Sequence, residues 1–450
     1  MNTLLLLIAG DALLSLFAVY VGFLVRLSSA TINMTDVKRF VVFMLVTVFS
    51  SFLLELYNHN KELGKKELFL RIMIALLISF LLLTSIYYMI YFEMFGRGVF
   101  ALSIVFFGIF QFLWHAGHEA VMNSSALARG VLILGTGPLA KKIGNLILST
   151  NHQHILKGYV NLTGESLQVP AEFVVGNGNG NGLVQAVREK KIHKLVVSLS
   201  ERRGTFPLQD VLNCKFCGIE VVDAPTFYEE MTGKLLIENT TPSWFIFSNG
   251  FKVTATRRFY KRGIDIFCSL VGLIVMIPFL PLVALIIKMD SRGPVFFLQE
   301  RVGEMEKKFT LYKFRTMRQD AEKGTGAVWA QKNDPRITLV GRFLRKTRID
   351  ELPQLFNVLK GEMSFIGPRP ERSEFVNELK KIIPYYSERH FVKPGVTGWA
   401  QIRYPYGASV EDAVEKLRYD LYYIKNVSLL LDMLITIETM KVMLFGRGAR

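Results

Sequence analysis

Cysteine is scarce, with only Cys214, Cys217 and Cys268 in 450 residues. Three cysteines cannot build a disulfide framework, and nothing else in the chain points to an oxidising compartment. Cys214-Lys-Phe-Cys217 has the spacing of half a zinc site, but a structural site needs two more ligands and no second pair exists. The pair is therefore read as ordinary buried helix residues, because free cysteine packs as a small hydrophobe. Acidic residues are also in short supply. The 38 Asp and Glu stand against 54 Lys and Arg, for a net charge of +16. That balance favours anionic partners such as lipid headgroups, nucleotide phosphates or nucleic acid. Charge is rare in the first 116 residues, where the apolar excess behind a mean hydropathy of +0.30 is concentrated. Membrane segments favour the first two partners, and no nucleic acid is expected. At this length a single core is excluded and two or more domains are expected.

Four apolar stretches open the chain, Thr3–Val25, Phe40–Tyr57, Leu68–Phe92 and Val99–His115. Each approaches or exceeds the ~20 residues that cross a bilayer. Residues 1–116 are thus expected to form a four-helix transmembrane region. The first stretch lacks a basic leader and a small-residue cleavage site, so an uncleaved span is expected. Asp11 within it is costly in lipid and is expected to face other helices. Lys61, Lys65 and Lys66 mark the connection 58–67 as cytoplasmic. Four crossings then leave both the N-terminus and everything after His115 inside.

A fifth apolar stretch runs from Ile264 to Lys288 and is interrupted by Pro278 and Pro281. Proline removes a backbone donor and clashes with the preceding turn, which breaks a helix. Lys261, Arg262 and Lys288 flank the stretch, so both ends are read as cytoplasmic and 264–288 as a re-entrant helix. Ser428–Phe445 is apolar but carries Asp432, Glu438 and Lys441. An interfacial or packed amphipathic helix is expected there rather than a span.

Residues 117–250 read as a Rossmann-like α/β domain. Arg129–Leu134 is a buried strand, Gly135-Thr136-Gly137-Pro138 a glycine turn, and Lys141–Leu148 a helix. Further strands are expected at Phe173–Val175, Lys194–Leu199 and Ile219–Val222. Two features weaken any nucleotide site. No acidic residue follows about 20 positions on to hold a ribose, and Pro138 stiffens the turn. A scaffold binding nucleotide weakly or not at all is the favoured reading. The alternating Asn-Gly run at 176–182 is linker-like. The domain is expected to end near Pro242–Gly250.

Residues 251–450 are expected to be a mainly α, membrane-embedded catalytic domain. Between Thr256 and Arg348 stand 19 Lys and Arg against 8 Asp and Glu. Such density suits an anionic membrane surface or the diphosphate of a nucleotide. Asp350 and Glu351 follow this run directly. Neighbouring carboxylates on a helix point different ways, which suits a division of labour between attack on phosphorus and binding of Mg²⁺. Cationic neighbours are expected to hold both ionised. Taken alone, the pair reads better as the solvated, acidic start of a helix, and Lys313 and Arg315 as surface charge.

The ordered motifs around them decide the reading. Arg292-Gly293-Pro294-Val295-Phe296-Phe297, Gln299-Glu300-Arg301-Val302-Gly303, Lys313-Phe314-Arg315-Thr316-Met317, Asp334-Pro335-Arg336-Ile337-Thr338 and Gly341-Arg342-Phe343-Leu344-Arg345 precede the carboxylates. Gln354-Leu355-Phe356-Asn357-Val358-Leu359, the run Gly361–Pro370 that ends in Gly-Pro-Arg-Pro, and Lys393–Gln401 follow. From about Arg258 onward this series closely resembles the bacterial sugar transferases, polyprenyl-phosphate hexose-1-phosphate transferases. The whole chain resembles their large branch, used in exopolysaccharide and capsule synthesis. The resemblance implies transfer of a sugar-1-phosphate from a UDP-sugar to polyprenyl (undecaprenyl) phosphate with release of UMP. It implies Asp350 as the nucleophile of a covalent phospho-sugar intermediate and Glu351 as its partner, linked to Mg²⁺. Lys313, Arg315 and Arg369 are expected at phosphate, and Arg301, Arg348 and Gln354 join them as candidate substrate contacts. Pro278 matches the family's helix break, which strengthens the re-entrant reading. Trp399 and Phe314 are expected in the core. The implied place is the bacterial inner membrane, multi-pass, with catalysis on the cytoplasmic face. The sequence leaves the sugar and any homo-oligomer open.

Two rival functions are weaker, and a third is told apart by its product. A nucleotide-sugar dehydratase or epimerase would carry Tyr-x-x-x-Lys after the glycine turn, but the only such spacing, Tyr57 to Lys61, precedes it. A scaffold without activity does not need an intact Asp350-Glu351 pair. A glycosyltransferase moving the sugar alone would release UDP instead of UMP.

Overall fold

The computed structural model describes residues 2–27, 34–54, 56–57, 65–89, 96–122, 128–149, 154–162, 166–177, 183, 187, 189–199, 206–240, 242–248, 250–252, 254–319, 321, 334–404, 407 and 409–445. Lys61 and positions 178–182 of the Asn-Gly run lie outside them. The chain falls into two compact units, Met1–Ala224 and Pro225–Arg450.

The first unit opens with α1 (Asn2–Leu27), α2 (Met34–Leu53), α3 (Lys65–Met89) and α4 (Arg97–Met122). Small residues let α1 approach α4 closely. A Cβ on Gly10 would come 2.6 Å from the Trp114 ring, and one on Gly22 would come 2.7 Å from Ser103 Oγ. Phe43, Leu83 and Phe107 fill the middle of the bundle. Leu4–Arg26, Lys65–Met89 and Arg97–Val121 are long and apolar enough to cross a membrane, which marks the chain as a membrane protein. The second expected span differs. The helix ends at Leu53 and carries Asp36, Lys38 and Arg39 near its start. Its uncharged part, Phe40–Leu53, is about 21 Å long at ~1.5 Å per residue, short of the ~30 Å apolar layer. Asp11 is fully buried between helices, as expected.

A five-stranded sheet follows in the same unit. It comprises β1 (Arg129–Leu134), β2 (His154–Asn161), β3 (Val174–Asn177), β4 (Ile192–Val197) and β5 (Glu220–Asp223), with α5 (Pro138–Ser149) after β1 and α6 (Leu208–Phe216) before β5. The order is β3-β2-β1-β4-β5 and every pairing is parallel. Parallel strands are buried on both faces, which explains the unbroken apolar run of β1. Gly135 turns the chain with φ 122°, a value that favours glycine. Beyond it the Thr136 hydroxyl donates to Asn161 Oδ1 at 3.0 Å, at the carboxyl end of β2. An uncharged Asn thus ends β2, and its side-chain oxygen is already engaged. Cys214 is buried, but Cys217, past the end of α6, is exposed, so the two do not share the expected setting.

The second unit begins within α7 (Ala224–Thr232) and continues through α8 (Pro242–Phe247). Leu235, Ile237, Trp244 and Phe245 pack in the same core as Trp399, Leu421 and Ile435, so this stretch belongs with the C-terminal residues. Then come α9 (Ala255–Met276), a 3-10 turn (Ile277–Phe279) and α10 (Leu280–Asp290). Pro278 lies in the turn and Pro281 at the start of α10, so the helical break falls where the prolines predict it. Ala255–Asp290 as a whole is long and apolar enough to cross a membrane. Asp265, Ser269 and Met276 form its buried stripe, while Phe267, Ile274, Phe279 and Met289 are exposed. Both ends are tied to the same unit. Arg262 donates to the Val358 and Leu359 carbonyls at 2.6 and 2.7 Å, and Asp290 Oδ2 accepts from Val340 N at 3.1 Å. Met276, before the break, and Ile287, after it, share one cluster with Phe314 and Leu344.

The mainly α expectation passed over an antiparallel hairpin, β6 (Phe296–Val302) with β7 (Lys308–Phe314), and a short parallel pair, β8 (Ser364–Ile366) with β9 (Gly395–Thr397). The remaining helices are α11 (Leu339–Thr347), α12 (Gln354–Lys360), α13 (Ser373–Ile382), α14 (Trp399–Arg403), α15 (Val410–Lys425) and α16 (Leu429–Phe445). α16 is a packed helix. Ile435 is buried, and Asp432 accepts from Lys261 at 2.9 Å and from the Tyr423 hydroxyl at 2.8 Å.

Candidate active site

Asp350 and Glu351 sit in a 3-10 turn, Ile349–Glu351, between α11 and α12. Arg348 ends α11 in the left-handed region, φ 59°, and this sharp break redirects the chain so that both carboxylates turn inward. α11 is set down closely: Gly341 lies against the Thr316 carbonyl, where a Cβ would come within 2.1 Å. On the other side, α12 is locked to β7 by Asn357. Its Oδ1 accepts from Tyr312 N at 3.1 Å, and its Nδ2 donates to the Thr310 carbonyl at 2.7 Å and to Glu362 Oε2 at 2.7 Å. That side chain fixes the strand carrying Lys313 against the helix that follows the carboxylates.

The cations converge on Glu351. Lys313 Nζ donates to Glu351 Oε1 at 3.0 Å and Arg369 Nη2 to the same oxygen at 2.8 Å. Arg348 Nη1 stands 3.6 Å from Glu351 Oε2. Burial works against charge on Glu351, but Arg369, Lys313 and Arg348 outweigh it and hold the carboxyl well below the usual range. Burial likewise pushes Lys313 down, against the pull of Glu351. Arg369 is held above its usual value by Glu351.

Asp350 behaves differently. Burial and the neighbouring Glu351 charge push its carboxyl up, and Lys313, Arg345 and Arg348 only partly counter them. The expectation that cations would hold both acids ionised therefore fits Glu351 and not Asp350. Asp350 Oδ1 is buried and has no hydrogen-bond partner among the described residues. An unpartnered buried carboxylate oxygen is costly and calls for a function.

The other expected residues divide. Arg301 lies near enough to act on Lys313 electrostatically, and it donates to Gln299 Oε1 and to the Pro370 carbonyl. Gln354 is buried in the first turn of α12. Arg315 does not face the carboxylates. Its guanidinium donates to the carbonyls of Ile287, Ser291 and Arg292, at the exit of the apolar segment, so its role is to fasten that exit to β7. Trp399 and Phe314 are buried, as expected.

Two residues not singled out from the sequence also matter. Arg345 interacts electrostatically with Asp350 while its Nε donates to Thr316 Oγ1 at 2.9 Å. Its position five residues before Asp350 in the Gly-Arg-Phe-Leu-Arg motif was the available signal. Arg389 donates to the Arg369 carbonyl at 3.0 Å and to Asp420 Oδ2 at 2.8 Å, and so holds the Arg369 turn from behind. No local pattern pairs residues so far apart. The motif glycines Gly367 and Gly395 are explained by close backbone approach, since a Cβ on Gly395 would come 2.1 Å from Gly367 N.

A magnesium ion, which the resemblance implies, is testable against this donor set. No group of three or more metal-ligating side chains occurs among the described residues. Mg²⁺ needs no such cage, because it keeps waters and takes one or two carboxylates plus substrate phosphates. The unpartnered Asp350 Oδ1 fits that demand. Both oxygens of Glu351, the ligand expected from the sequence, already face cations.

The family model described as bacterial sugar transferase matches residues 256–446. The UDP-N-acetylgalactosamine-undecaprenyl-phosphate N-acetylgalactosaminephosphotransferase of Aeromonas hydrophila is 44% identical over 237 residues, 53% of this chain and 55% of that protein. The undecaprenyl-phosphate glucose phosphotransferase of Komagataeibacter xylinus is 34% identical over 334 residues, 72% of this chain and 60% of that one. The match thus spans little more than half the length of these two relatives. The exopolysaccharide production protein PSS of Rhizobium leguminosarum bv. phaseoli is shorter: 46% identity over 184 residues covers 40% of this chain and 92% of it. With the site's residues standing in the matched region and nearly all of that shorter protein aligned, the chain belongs to the bacterial sugar transferase family.

Proposed function

We propose that this chain transfers a sugar-1-phosphate from a UDP-sugar to polyprenyl (undecaprenyl) phosphate and releases UMP, as the first membrane step of exopolysaccharide or related glycoconjugate synthesis. The observation that carries the reading is the buried Asp350 carboxyl, one oxygen unpartnered, among Lys313, Arg345 and Arg348. The names of the relatives support the same reaction class, and they differ in the sugar named.

The chemistry follows from the charges. Asp350 attacks the sugar-bearing phosphorus of the UDP-sugar. The bond from that phosphorus to the bridging oxygen breaks, and UMP leaves with the electron pair. The phosphate oxygen of the lipid then attacks the same phosphorus and expels the Asp350 carboxylate, which regenerates the site. Two displacements replace one difficult encounter between two anions. Arg369, Lys313 and Arg348 are already oriented by Glu351, so they can meet phosphate oxygens without reorganising. Bound Mg²⁺ would neutralise diphosphate charge beside Asp350 Oδ1. Through its charge Glu351 keeps the cations in place.

The reading requires a site at the membrane surface, reachable from the cytosol. A re-entrant α9–α10 segment meets that need, entering and leaving the same leaflet of the inner membrane. The attachment of both its ends to one unit supports this, because a crossing helix would separate them by a bilayer. The parallel sheet is proposed to be Rossmann-like by its strand order, without a ribose-binding acid.

The test is a panel of UDP-sugars assayed with polyprenyl phosphate and Mg²⁺. UMP and a lipid-linked sugar diphosphate are expected from at least one donor. Release of UDP instead would mean cleavage at the glycosidic bond and would end the reading.

A further inference from the structure

The apolar segment does more than anchor. Asp265 stands in α9, one turn after Arg262, and is almost wholly buried although the surrounding helix surface is apolar and exposed. Its Oδ1 accepts two hydrogen bonds, from Ser364 Oγ at 3.0 Å and from Phe365 N at 2.9 Å. Both donors belong to β8. The other edge of β8 is already paired: Ser364 N donates to the Pro394 carbonyl, and Gly367 N, just past the strand, to the Thr397 carbonyl of β9. Phe365 N points the other way, where a neighbouring strand would normally lie. The Asp265 carboxylate takes the place of that strand.

What β8 carries gives this contact its meaning. The strand ends at Ile366, and Gly367-Pro368-Arg369 follows at once. Arg369 is the residue whose guanidinium meets Glu351 Oε1. The turn is held on one side by Gly395 N donating to the Pro368 carbonyl at 2.8 Å and behind by Arg389. Its approach is held by Asp265 at Phe365 N, while the Tyr423 hydroxyl donates to the Ile366 carbonyl at 3.3 Å.

We propose that Asp265 is a positioning residue: from within the apolar segment it sets β8, and through β8 the Arg369 turn, so that Arg369 meets Glu351 in register. This rests on the transferase reading for its activity readout. Displacements of about 1 Å at a reacting centre can lower a rate about a hundredfold, so a strand fixed at one edge by one carboxylate is a sensitive control point.

The experiment uses the full chain in detergent or nanodiscs, with UMP release as the rate. Asp265→Ala is expected to lower kcat about tenfold or more. Asp265→Asn keeps an oxygen acceptor for both donors and is expected within about threefold of the parent. On an Arg369→Ala background, Asp265→Ala is expected to add almost nothing, because residues acting through one another are not additive. Amide exchange at Phe365–Arg369 is measured in parallel and is expected to speed up in Asp265→Ala and not in Asp265→Asn. A full-rate Asp265→Ala, an Asn variant as poor as Ala, or additive losses with Arg369→Ala would overturn the proposal. If Asp265→Ala does not fold, Ser364→Ala, which removes one donor, carries the same cycle with a smaller loss, and additivity there overturns it too. If the parent releases no UMP from any donor, the transferase reading fails. The exchange data then still decide whether Asp265 holds β8.

Discussion

Asp11 and Asp350 are both buried, and their surroundings could hardly differ more. Asp11 lies in the first membrane helix, fully buried. Its carboxylate accepts from the Tyr57 hydroxyl at 2.7 Å and from Gln111 Nε2, with His115 Nε2 at 3.2 Å, and Gln111 also reaches Ser51 Oγ at 2.8 Å. Asp11's partners come from the connection after α2 and from α4, and Ser51 in α2's last turn engages Gln111. Asp350 has cations around it instead and an oxygen left without a partner among the described residues. The first acid is satisfied by hydroxyl, amide and imidazole groups from outside its own helix. The second is left incomplete. A buried polar group whose bonds are complete holds a fold together, and one whose bonds are incomplete awaits a ligand.

Substitutions at the two sites should therefore break different properties. Asp350→Asn removes the carboxylate proposed to attack and is expected to lower UMP release by about a thousandfold or more, with unfolding temperature nearly unchanged. Lipid-linked product surviving at the parental rate would remove Asp350 from its role. Glu351→Gln leaves Lys313 and Arg369 without their counter-charge and is expected to lower the rate about a hundredfold. Asp11→Ala should do the reverse. It strands the Tyr57, Gln111 and His115 donors and is expected to cost ~1–3 kcal/mol of stability in thermal unfolding. Activity per folded molecule is expected to stay within about threefold. A large loss of rate in well-folded Asp11→Ala would dissolve the contrast.

The smallest effect is on pH. Burial, then the Glu351 charge, raises the Asp350 carboxyl above its ordinary value of about 4. Attack needs the ionised form, so kcat/KM for the UDP-sugar should fall as pH drops through a midpoint above that value. In Glu351→Gln the residual activity should show that midpoint moved down, because one of the two causes is gone. A midpoint that stays put or rises would mean that Glu351 does not act on Asp350 by charge.

Much of this was legible in the chain because it is local. Apolar runs wrote the helices at 2–27, 65–89 and 97–122, and Pro278 with Pro281 wrote the break after α9. Glycine and strand wrote β1 and its turn. The site's center was legible through the motif series, but not the partners of its members. Arg315 looks like Lys313 in the sequence, two residues away on the same strand direction, yet it is bonded to carbonyls at the end of α10. Which neighbour a long cation meets is decided by packing of distant segments. The same holds for Arg389 with Asp420, and for the β6–β7 hairpin, whose mixed polar and apolar strands carry no strong alternation. The short uncharged part of α2 was hidden by Leu54, Leu56 and Tyr57 after it, which are apolar enough to extend the run but lie in turns.

The left-handed Arg348 carries a consequence for anyone engineering this enzyme. A side chain with φ 59° strains the backbone by roughly 1–2 kcal/mol, and glycine at that position would relax it. Arg348→Gly should thus make the protein sturdier while stripping a guanidinium from the neighbourhood of Asp350. Robustness and reactivity are set against each other at a single residue, where one substitution can measure the exchange rate between them.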